Sequence, residues 1–423
     1  MAIPRRADSL ARSPRAPWAV PLRETAVTIR MAFVAVSYTV RRDGVSVYAE
    51  NLLLELLRQA PRENVALWVD VYVCREAAAV LREVLRRNLN GEAALDARFR
   101  IIDLDGDGVF ARYVRTPRQV RANGPYDVVF SPNLQPLWLP RRRSVAVLHD
   151  LTYRVAARHF PRWRVLYMDM LTRFWLRRGE AVASISRTTQ DDLDRLYSGA
   201  RGKPDLYLPN GLPTKLTATP RPDPDDCDAK FTDDPVEMLF VGRLNRLKGF
   251  DRVRAFAEHL DRHFRGAVRI HVVGKDTPDT PGLLEGMALD SVELIRHGYL
   301  DDDQLNALYR RCAYCLFPSR NEGFGLPLLE AIWQRCVPVL SEIAIFREVT
   351  GSGFPLFTAD GDGIVRMTAF VERMRADPAY RREITDAMEG VLARWGDGYT
   401  RAARNLLAWS RPGRPHAMEV TRE

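Results

Sequence analysis

Two carboxylates and two glycines lie close together in the segment Pro318–Glu330, which reads PSRNEGFGLPLLE. The apolar run 314–317 before it is typical of a buried strand, and Leu326–Gln334 has helical spacing. Gly323 and Gly325 are therefore predicted where a strand ends and a helix begins, which is the edge at which open α/β sheets bind ligands. Glycines let a ligand approach the backbone, and the free N–H groups and helix dipole favour a phosphate or another electron-rich group there.

The two carboxylates of this segment, Glu322 and Glu330, are eight residues apart. One lies in the predicted loop and the other in the first turns of the predicted helix, so both can face one crevice. An ionised carboxylate only accepts hydrogen bonds. Two of them beside an anion site suit a ligand with hydroxyls as well as phosphates, such as a nucleotide sugar. Spacing alone fits two solvated surface carboxylates equally well.

Two cations follow a predicted strand at Glu237–Gly242. Arg243 and Lys248 lie in the next loop, before a helix predicted over Phe250–His263. Fixed cations at a strand end can neutralise a diphosphate, because arginine offers a planar fork and lysine a point charge. The alternative is an ordinary charged surface loop.

Candidate residues in the first half of the chain are fewer. His149 directly follows a strand predicted over Ser144–Leu148, so it points towards the same crevice if the two halves face each other. A lone histidine is more often structural than functional. Gly44 lies between a strand predicted over Met31–Ser37 and a helix predicted from about Ser46 to Gln59, but this loop is neither GxGxxG nor a phosphate-binding loop.

The elements that position these residues alternate between strand and helix, which predicts the α/β class with parallel doubly wound sheets. A length of 423 residues is enough for two such domains. Segment 1–30 is expected to be a basic disordered tail, and 31–210 an N-terminal domain. The proline- and aspartate-rich stretch 211–235 is predicted as a linker to a C-terminal domain at 236–395, which 396–423 follows.

Composition excludes several classes of protein. No run of about 18 apolar residues occurs, so no transmembrane helix is expected, and the Arg- and Pro-rich start lacks the apolar core of a secretory signal. Five scattered cysteines suit a reducing cytoplasm, and the lone CxxC at Cys312 and Cys315 is interpreted as core residues. A net charge of +9 without a nucleic-acid-binding motif favours a membrane surface over nucleic acid.

A helix predicted over Pro161–Arg178 mixes aromatic and basic side chains. Such a surface can lie in a membrane interface. Aromatic residues in the core with solvated arginines would produce the same pattern, so both interpretations remain.

The acidic stretch Asp103–Gly108 is the sequence's candidate metal site. An EF-hand is excluded because the twelfth position is Val114 rather than glutamate. The DxD metal site of GT-A glycosyltransferases fits the spacing, but an acidic turn at a strand end is the preferred interpretation.

The string PSRNEGFGLPLLEA resembles the signature of the GT-B glycosyltransferases of the large retaining family 4. Further segments resemble the family pattern in the same order, namely VLHDL with HFP, LPNG, VGRL with KG, and FREV. The resemblance covers about residues 31–410 and is strongest from 237 to 351. It implies two Rossmann-like domains facing each other across a cleft, with the donor mainly on the C-terminal domain. It also implies that the final helices cross back onto the first domain.

The resemblance implies roles for individual residues. Glu322 and the glycine amides would hold the donor sugar, and Glu330 the ribose hydroxyls. Arg243 and Lys248 would bind the diphosphate, and His149 would contact the sugar near the reacting carbon. The implied donor-binding residues are Gly44, Arg243, Lys248, Glu322, Gly323, Phe324, Gly325, Leu326 and Glu330, and the implied catalytic residues are His149 and Glu322.

The chain departs from the family pattern at two places. Asp43 stands where a second glycine is usual beside Gly44. Arg335 and Val337 stand where the family usually has glycine and proline after the second glutamate. The second departure concerns the end of a helix and is expected to alter local geometry rather than donor contacts.

The implied reaction transfers a hexosyl group from a nucleoside diphosphate sugar to a hydroxyl, with retention at the anomeric carbon. No metal or other cofactor is expected, because cations and backbone amides would stabilise the charge on the leaving diphosphate. The pattern is most similar to bacterial mannosyltransferases of O-antigen and exopolysaccharide synthesis, so GDP-mannose is the expected donor and a UDP-hexose the alternative.

The expected acceptor is lipid-linked or a polysaccharide, and the expected location is the cytoplasm, in contact with the inner face of the membrane. A nucleotide-sugar epimerase of the same fold and a non-catalytic scaffold of a polysaccharide assembly complex are alternatives from other classes.

Overall fold

The computed structural model describes residues 26–41, 43–89, 98–104, 114–135, 144–198, 205–223, 228–358 and 361–412. The first sheet contains β1 (Val27–Val34), β2 (Val65–Cys74), β3 (Arg98–Leu104), β4 (Val128–Ser131), β5 (Ser144–Leu148), β6 (Ala181–Ser184) and β7 (Asp205–Tyr207). All pair in parallel, in the order β3-β2-β1-β4-β5-β6-β7. The helices of this part are α1 (Gly44–Arg62), α2 (Arg75–Leu89), α3 (Thr116–Asn123), α4 (Thr152–Val155), α5 (Arg162–Arg178) and α6 (Arg187–Leu196).

Both faces of this sheet are buried. Met31 and Phe33 of β1 belong to one apolar cluster, and the alternate residues Ala32 and Val34 belong to a second one. Parallel sheets covered on both faces need continuous apolar strands rather than alternating ones, which is why the strands were visible in the sequence as apolar runs.

The second sheet contains β8 (Val236–Val241), β9 (Val268–Val273), β10 (Val292–Gly298), β11 (Tyr314–Phe317), β12 (Val337–Ser341) and β13 (Leu356–Phe357). They are parallel, in the order β10-β9-β8-β11-β12-β13. Its helices are α9 (Phe250–His263), α10 (Thr280–Leu284), α11 (Asp302–Arg311), α12 (Leu326–Trp333), α13 (Ala344–Thr350), α14 (Gly361–Ala376) and α15 (Pro378–Trp395). The predicted pair of doubly wound α/β domains is confirmed.

The last helix, α16 (Gly398–Ser410), returns to the first domain. Thr400 Oγ1 donates to Glu55 Oε2 of α1 over 2.9 Å, and Asn405 Nδ2 donates to the carbonyl of Tyr207 in β7 over 2.9 Å. These contacts tie α16 to the first sheet and to the helix α1 beside it.

The structure differs from the sequence predictions at two boundaries. β1 begins at Val27 and pairs with Val65 there, so residues 27–30 form a strand instead of belonging to a tail. The stretch predicted as a linker contains two short helices, α7 (Thr214–Thr217) and α8 (Ala229–Thr232).

Several predictions concern residues outside the described ranges. These are the tail at 1–25, Asp105 and Asp107 of the acidic turn, and the end of the chain from 413. Among the helices that the structure describes, none combines the length and apolar character needed to cross a membrane.

Candidate active site

Two loops from adjacent strands form the core of the candidate site. One follows β8 and the other follows β11, and these strands are neighbours in the second sheet. Gly249 has φ 75°, and a Cβ on it would lie 2.0 Å from the carbonyl oxygen of Pro318, so only glycine fits. Arg252 Nη1 donates to the same Pro318 oxygen over 2.8 Å. The two loops are thus locked together.

Lys248 and Glu322 meet across these loops. Lys248 Nζ donates to Glu322 Oε1 over 2.7 Å and to Oε2 over 2.6 Å. Ser319 Oγ also donates to Glu322 Oε1, over 2.7 Å. The lysine expected to bind a diphosphate is therefore engaged by the glutamate expected to bind the sugar, and a diphosphate would have to compete for it.

Arg243 is a cation of the site whose side chain is not paired with any described residue. Its side chain is exposed at the end of β8. It makes no hydrogen bond or ion pair with any residue in the described ranges; its carbonyl accepts from Asn245 N over 2.8 Å. A guanidinium in this state can reach an anionic ligand without breaking an existing contact.

The glycine-rich turn ends at α12. Gly325 has φ 92°, a conformation that favours glycine, and stands at the N-cap of the helix, with Leu326 as the first helical residue. A Cβ on Gly323 would lie 2.5 Å from the carbonyl oxygen of His149. Because Gly323 has no side chain, the two domains can approach each other at this point. The prediction from the sequence was that this glycine lets a ligand approach the backbone.

Phe324 is the residue of this turn whose side chain faces away from the crevice. Its ring is buried and packs edge-on against Trp395 of α15, with ring centroids 4.8 Å apart. Only the backbone of Phe324 can then contribute to donor binding. The aromatic ring anchors the turn in the core of the second domain.

His149 lies at the end of β5, and its carbonyl oxygen lies beside Gly323 of the other domain. Its Nε2 is 2.7 Å from the carbonyl oxygen of Pro132, which can only accept, so Nε2 carries the proton and Nδ1 is left as an acceptor. The ring stands edge-on to that of Tyr48 at 5.0 Å. Burial lowers the pKa of His149 from its ordinary value, and the hydrogen bond to the Pro132 carbonyl and the carboxylates of Asp150 and Asp43 oppose this only in part. The imidazole is therefore neutral near pH 7.

Gly44 is the first residue of α1, and a Cβ there would meet nothing within 4 Å. Asp43, which replaces the usual paired glycine, caps this helix by accepting from Ser46 N over 3.0 Å and from Ser46 Oγ over 2.8 Å. The departure from the family pattern thus has a structural function, and space remains beside Gly44.

Glu330 lies in α12 and forms an ion pair that the sequence did not reveal. Its Oε1 is 3.2 Å from Lys215 Nζ, and Lys215 also donates to Asp302 Oδ1 over 3.0 Å. Lys215 lies in α7, within the stretch predicted as an irregular linker. No motif or spacing marks it, since its partners come from a distant part of the chain.

Comparison with known proteins finds a family that part of this chain resembles. Residues 226–386 match the family model described as glycosyl transferases group 1. The matched range is less than half of the chain, and this part of the chain is similar to the group 1 glycosyltransferases. Both motifs of the crevice, the loop after β8 and the turn before α12, lie inside the matched range.

Curated relatives match this chain over parts of their length. The serotype-specific mannosyltransferase WbdA of Escherichia coli is 37% identical over 102 residues, which are 24% of this chain and 12% of that protein. The lipopolysaccharide core biosynthesis mannosyltransferase LpcC of Rhizobium leguminosarum bv. viciae is 28% identical over 268 residues, 57% of this chain and 72% of the relative. The chain thus matches only about an eighth of the length of WbdA.

Solved structures share the fold of this chain. HepE of Anabaena in complex with UDP-glucose superimposes with a TM-score of 0.62, 15% identity, and coverage of 90% of this chain and 98% of that one. This likeness establishes a GT-B fold: two Rossmann-like domains with the crevice between them.

The second departure from the family pattern can now be explained. Arg335 has φ 60° just after α12, so it adopts the left-handed conformation that glycine usually supplies there. Its Nε donates to the carbonyl of Pro222 over 2.7 Å, and its Nη1 donates to Glu389 Oε1 over 3.1 Å. These contacts help to offset the backbone strain, and the helix still ends at Trp333.

A cluster of possible metal ligands in the second domain lies apart from the crevice. Within the described residues, ligand atoms of Glu237, His271 and Cys312 lie within 4.8 Å of one another. Glu237 already accepts from Arg269 over 2.8 Å and from Arg311 over 2.7 Å. Two guanidiniums oppose a further cation at this carboxylate, so we assign no metal to it. Cys312 is buried, in agreement with its interpretation as a core residue.

Proposed function

We propose that this protein is a retaining glycosyltransferase that moves a hexose, mannose, from a nucleoside diphosphate sugar to a hydroxyl of a lipid-linked or polysaccharide acceptor in cell-surface polysaccharide synthesis. The observation that carries the proposal is the pairing of Lys248, in the loop after β8, with Glu322, in the turn before α12. The loop after β8 also carries the exposed side chain of Arg243. Cations, hydroxyl acceptors and backbone donors are thereby gathered in one crevice.

In this proposal the diphosphate of the donor lies between Arg243, Lys248 and the amides of Gly323–Gly325. These groups stabilise the negative charge that grows on the diphosphate as its bond to the sugar breaks. Glu322, once Lys248 turns to the phosphate, accepts hydrogen bonds from the sugar hydroxyls. Neutral His149 borders the reacting carbon from the other domain, and no metal is required.

The reaction breaks the bond between the anomeric carbon and the diphosphate oxygen. The acceptor oxygen forms the new bond on the same face, and its proton passes to the departing phosphate. Glu322 then positions the sugar and does not act as a nucleophile, unlike the paired carboxylates of glycosidases.

The names of the relatives support mannose as the transferred sugar. WbdA and LpcC are both named as mannosyltransferases, and LpcC is named for lipopolysaccharide core biosynthesis. GDP-mannose is therefore the proposed donor. A UDP-hexose is the alternative, because HepE was solved with UDP-glucose.

Thermal unfolding in the presence of GDP, UDP, ADP or dTDP tests the proposal, on the wild type and on Glu330→Ala. A nucleotide at a hundred times its Kd adds about 2.7 kcal/mol of stability. We expect GDP to raise the unfolding temperature of the wild type, and to raise that of the variant less. If UDP alone raises it, the donor is a UDP-hexose instead of GDP-mannose. A folded protein that responds to no nucleotide would favour the scaffold alternative.

Donor turnover separates the transferase from an epimerase. The protein is incubated with GDP-mannose with and without a lipid-linked oligosaccharide acceptor, and the products are separated by chromatography. A transferase elongates the acceptor and releases GDP. Conversion of the donor to its epimer in the absence of acceptor would contradict the proposal.

We also propose that the segment from α4 to the end of α5 contacts an anionic membrane. While Leu171 and Trp175 of α5 pack into the core, the exposed apolar residues of the segment are Val155 (43%), Trp163 (70%), Leu166 (69%) and Met170 (61%). Its exposed arginines are Arg154, Arg158, Arg162, Arg164, Arg173, Arg177 and Arg178. An apolar face with an aromatic residue, flanked by arginines, suits the interface of an anionic bilayer.

Vesicle flotation tests this surface. The protein is expected to bind vesicles of phosphatidylglycerol and phosphatidylcholine more strongly than vesicles of phosphatidylcholine alone, and more weakly at high salt. Trp163→Ser combined with Leu166→Ser should reduce binding, whereas Val365→Ser, a change at an exposed apolar residue of α14, should not. Equal binding by the double variant and the wild type would refute the contact.

A further inference from the structure

Lys215 connects the two parts of the molecule at the candidate site. It lies in α7, between the last strand of the first sheet and the first strand of the second. Its side chain is 25% exposed and that of Glu330 12%, and their charged atoms are 3.2 Å apart. Lys215 is thus half-buried between Glu330 and Asp302, so a residue of the linker contacts a carboxylate of the crevice.

The first domain holds Lys215 in place through the residue beside it. Thr214 donates to Asn51 Oδ1 from its backbone N over 2.7 Å and from its Oγ1 over 2.8 Å. Asn51 is buried in α1, where its Nδ2 donates to the carbonyl of Val47 over 2.7 Å. The position of Lys215 is therefore set by α1, although its charge acts on α12.

Lys215 leaves one side of the Glu330 carboxylate available. Oε1 faces the ammonium group, while Oε2 accepts no hydrogen bond from any described residue. Without Lys215, Glu330 would have Asp302 nearby and no cation between them, and the two carboxylates would repel each other. The ammonium group thus holds Glu330 in one orientation.

We propose that Lys215 is a positioning residue for donor binding, which orients Glu330 so that its free oxygen accepts hydrogen bonds from the ribose hydroxyls of the nucleotide. This inference rests on the proposed function, together with the role in holding the ribose hydroxyls that the family resemblance implies for Glu330. It adds a residue that lies outside the motifs of the two loops and belongs to the segment between the domains.

The charge on Lys215 persists over the working pH range. Burial lowers the pKa of Lys215, but the carboxylates of Glu330 and Asp302 together raise it by more, and the net shift is upward. The ammonium group is therefore present at neutral pH.

The test compares ribose-containing and ribose-modified nucleotides on the full-length protein. Binding of GDP and UDP and of their 2′,3′-dideoxy forms is measured by calorimetry for the wild type, Lys215→Met and Lys215→Arg. We expect Lys215→Met to bind the ribonucleotide about tenfold more weakly, because a charged hydrogen bond is misplaced. Its affinity for the dideoxy form should be almost unchanged, and Lys215→Arg should recover most of the loss.

Other outcomes overturn the inference in distinguishable ways. Equal losses for both nucleotide forms, or no loss, would show that Lys215 does not act through the ribose. A folded wild type that binds neither GDP nor UDP would overturn the proposed function itself. If Lys215→Met does not fold by circular dichroism, Lys215→Gln gives the same comparison with a neutral polar side chain.

Kinetics supply an independent readout. A positioning role in donor binding raises the KM for the nucleotide sugar and leaves kcat nearly unchanged in Lys215→Met. A fall in kcat at unchanged KM would contradict the inference.

Discussion

Each carboxylate of the candidate site is paired with a lysine. Glu322 meets Lys248, and Glu330 meets Lys215. In both pairs the side chains are only partly exposed, so the pairs are better shielded from solvent than ordinary surface ion pairs. In the proposed donor complex, Lys248 would therefore have to leave Glu322 to contact the diphosphate, whereas Arg243 would not have to break an existing contact.

The first prediction concerns Glu322→Gln. The variant keeps an acceptor for Ser319 but loses the charge that holds Lys248. We expect kcat to fall by about a hundredfold, with little change in folding, because the sugar is no longer positioned. Glu342→Gln is the control, since Glu342 forms an exposed ion pair with Arg347 in the same domain. Similar activities for the two variants would remove Glu322 from the proposed site.

The second prediction concerns His149 and pH. Burial holds its folded pKa below the ordinary value near 6.5, so the unfolded chain takes up this proton first as the pH falls. Stability is then fully present above about pH 6.5 and is lost as the pH decreases, at most by about 1.4 kcal/mol per pH unit for one proton. In His149→Gln this contribution to the pH dependence of the free energy of unfolding should be absent.

Urea unfolding of both proteins between about pH 5 and pH 8 provides the measurement. His159, His259 and His297, whose pKa values are also lowered by burial, are present in both proteins and cancel in the difference. Parallel stability curves for the wild type and His149→Gln would contradict the prediction.

Helix α13 acts across the boundary between the domains. Its Glu348 accepts from the backbone N of Arg187 and of Thr188, each over 2.7 Å, and from Thr188 Oγ1 over 2.7 Å. These are the first residues of α6, whose free N–H groups and helix dipole favour a carboxylate. A residue of the FREV segment thus caps a helix of the other domain and supports the arrangement in which Gly323 touches His149.

The third prediction tests this cap with Glu348→Ala. Three donors lose their acceptor, so stability is expected to fall by about 1–3 kcal/mol. The radius of gyration should increase as the domains separate, which X-ray scattering measures in solution. Glu383→Ala, at an exposed position of α15, is the control. An unchanged radius with unchanged stability would show that the cap does not hold the domains.

At the scale of the molecule, α16 fastens the second domain to the first. A Cβ on Gly398 would lie 2.0 Å from the carbonyl oxygen of Asn210, and a Cβ on Gly211 would lie 2.6 Å from the backbone N of Tyr399. Tyr399 also donates from its hydroxyl to Asn210 Oδ1 over 3.1 Å. The LPNG turn and the start of α16 therefore touch backbone to backbone.

The fourth prediction compares two glycine substitutions. Gly398→Ala places a methyl group against a carbonyl that cannot move freely, and should destabilise the protein by about 1–3 kcal/mol. Gly390→Ala, where a Cβ meets nothing within 4 Å on α15, should instead add about 0.5–1 kcal/mol through helix propensity. Differential scanning calorimetry gives both changes as shifts in Tm, and a neutral Gly398→Ala would refute the close contact.

The sequence by itself determined the elements and the two loops of the crevice. Apolar runs predicted the strands, because strands buried on both faces need them, and helical spacing predicted α9 over its observed range, Phe250–His263. The turn before α12 was visible because Gly325 requires a left-handed conformation and the two glutamates have a fixed spacing. These are local properties, so the order of residues is enough to reveal them.

Only the tertiary structure decided which residues meet in the crevice. Lys215 reaches Glu330, Glu348 reaches α6, and the carbonyl of His149 occupies the space beside Gly323. Each contact joins segments far apart in the chain, and it depends on how the two domains are placed by the linker and α16. The sequence gives the charge and size of the side chain at each position. Which residue that side chain contacts depends on the path of the whole backbone.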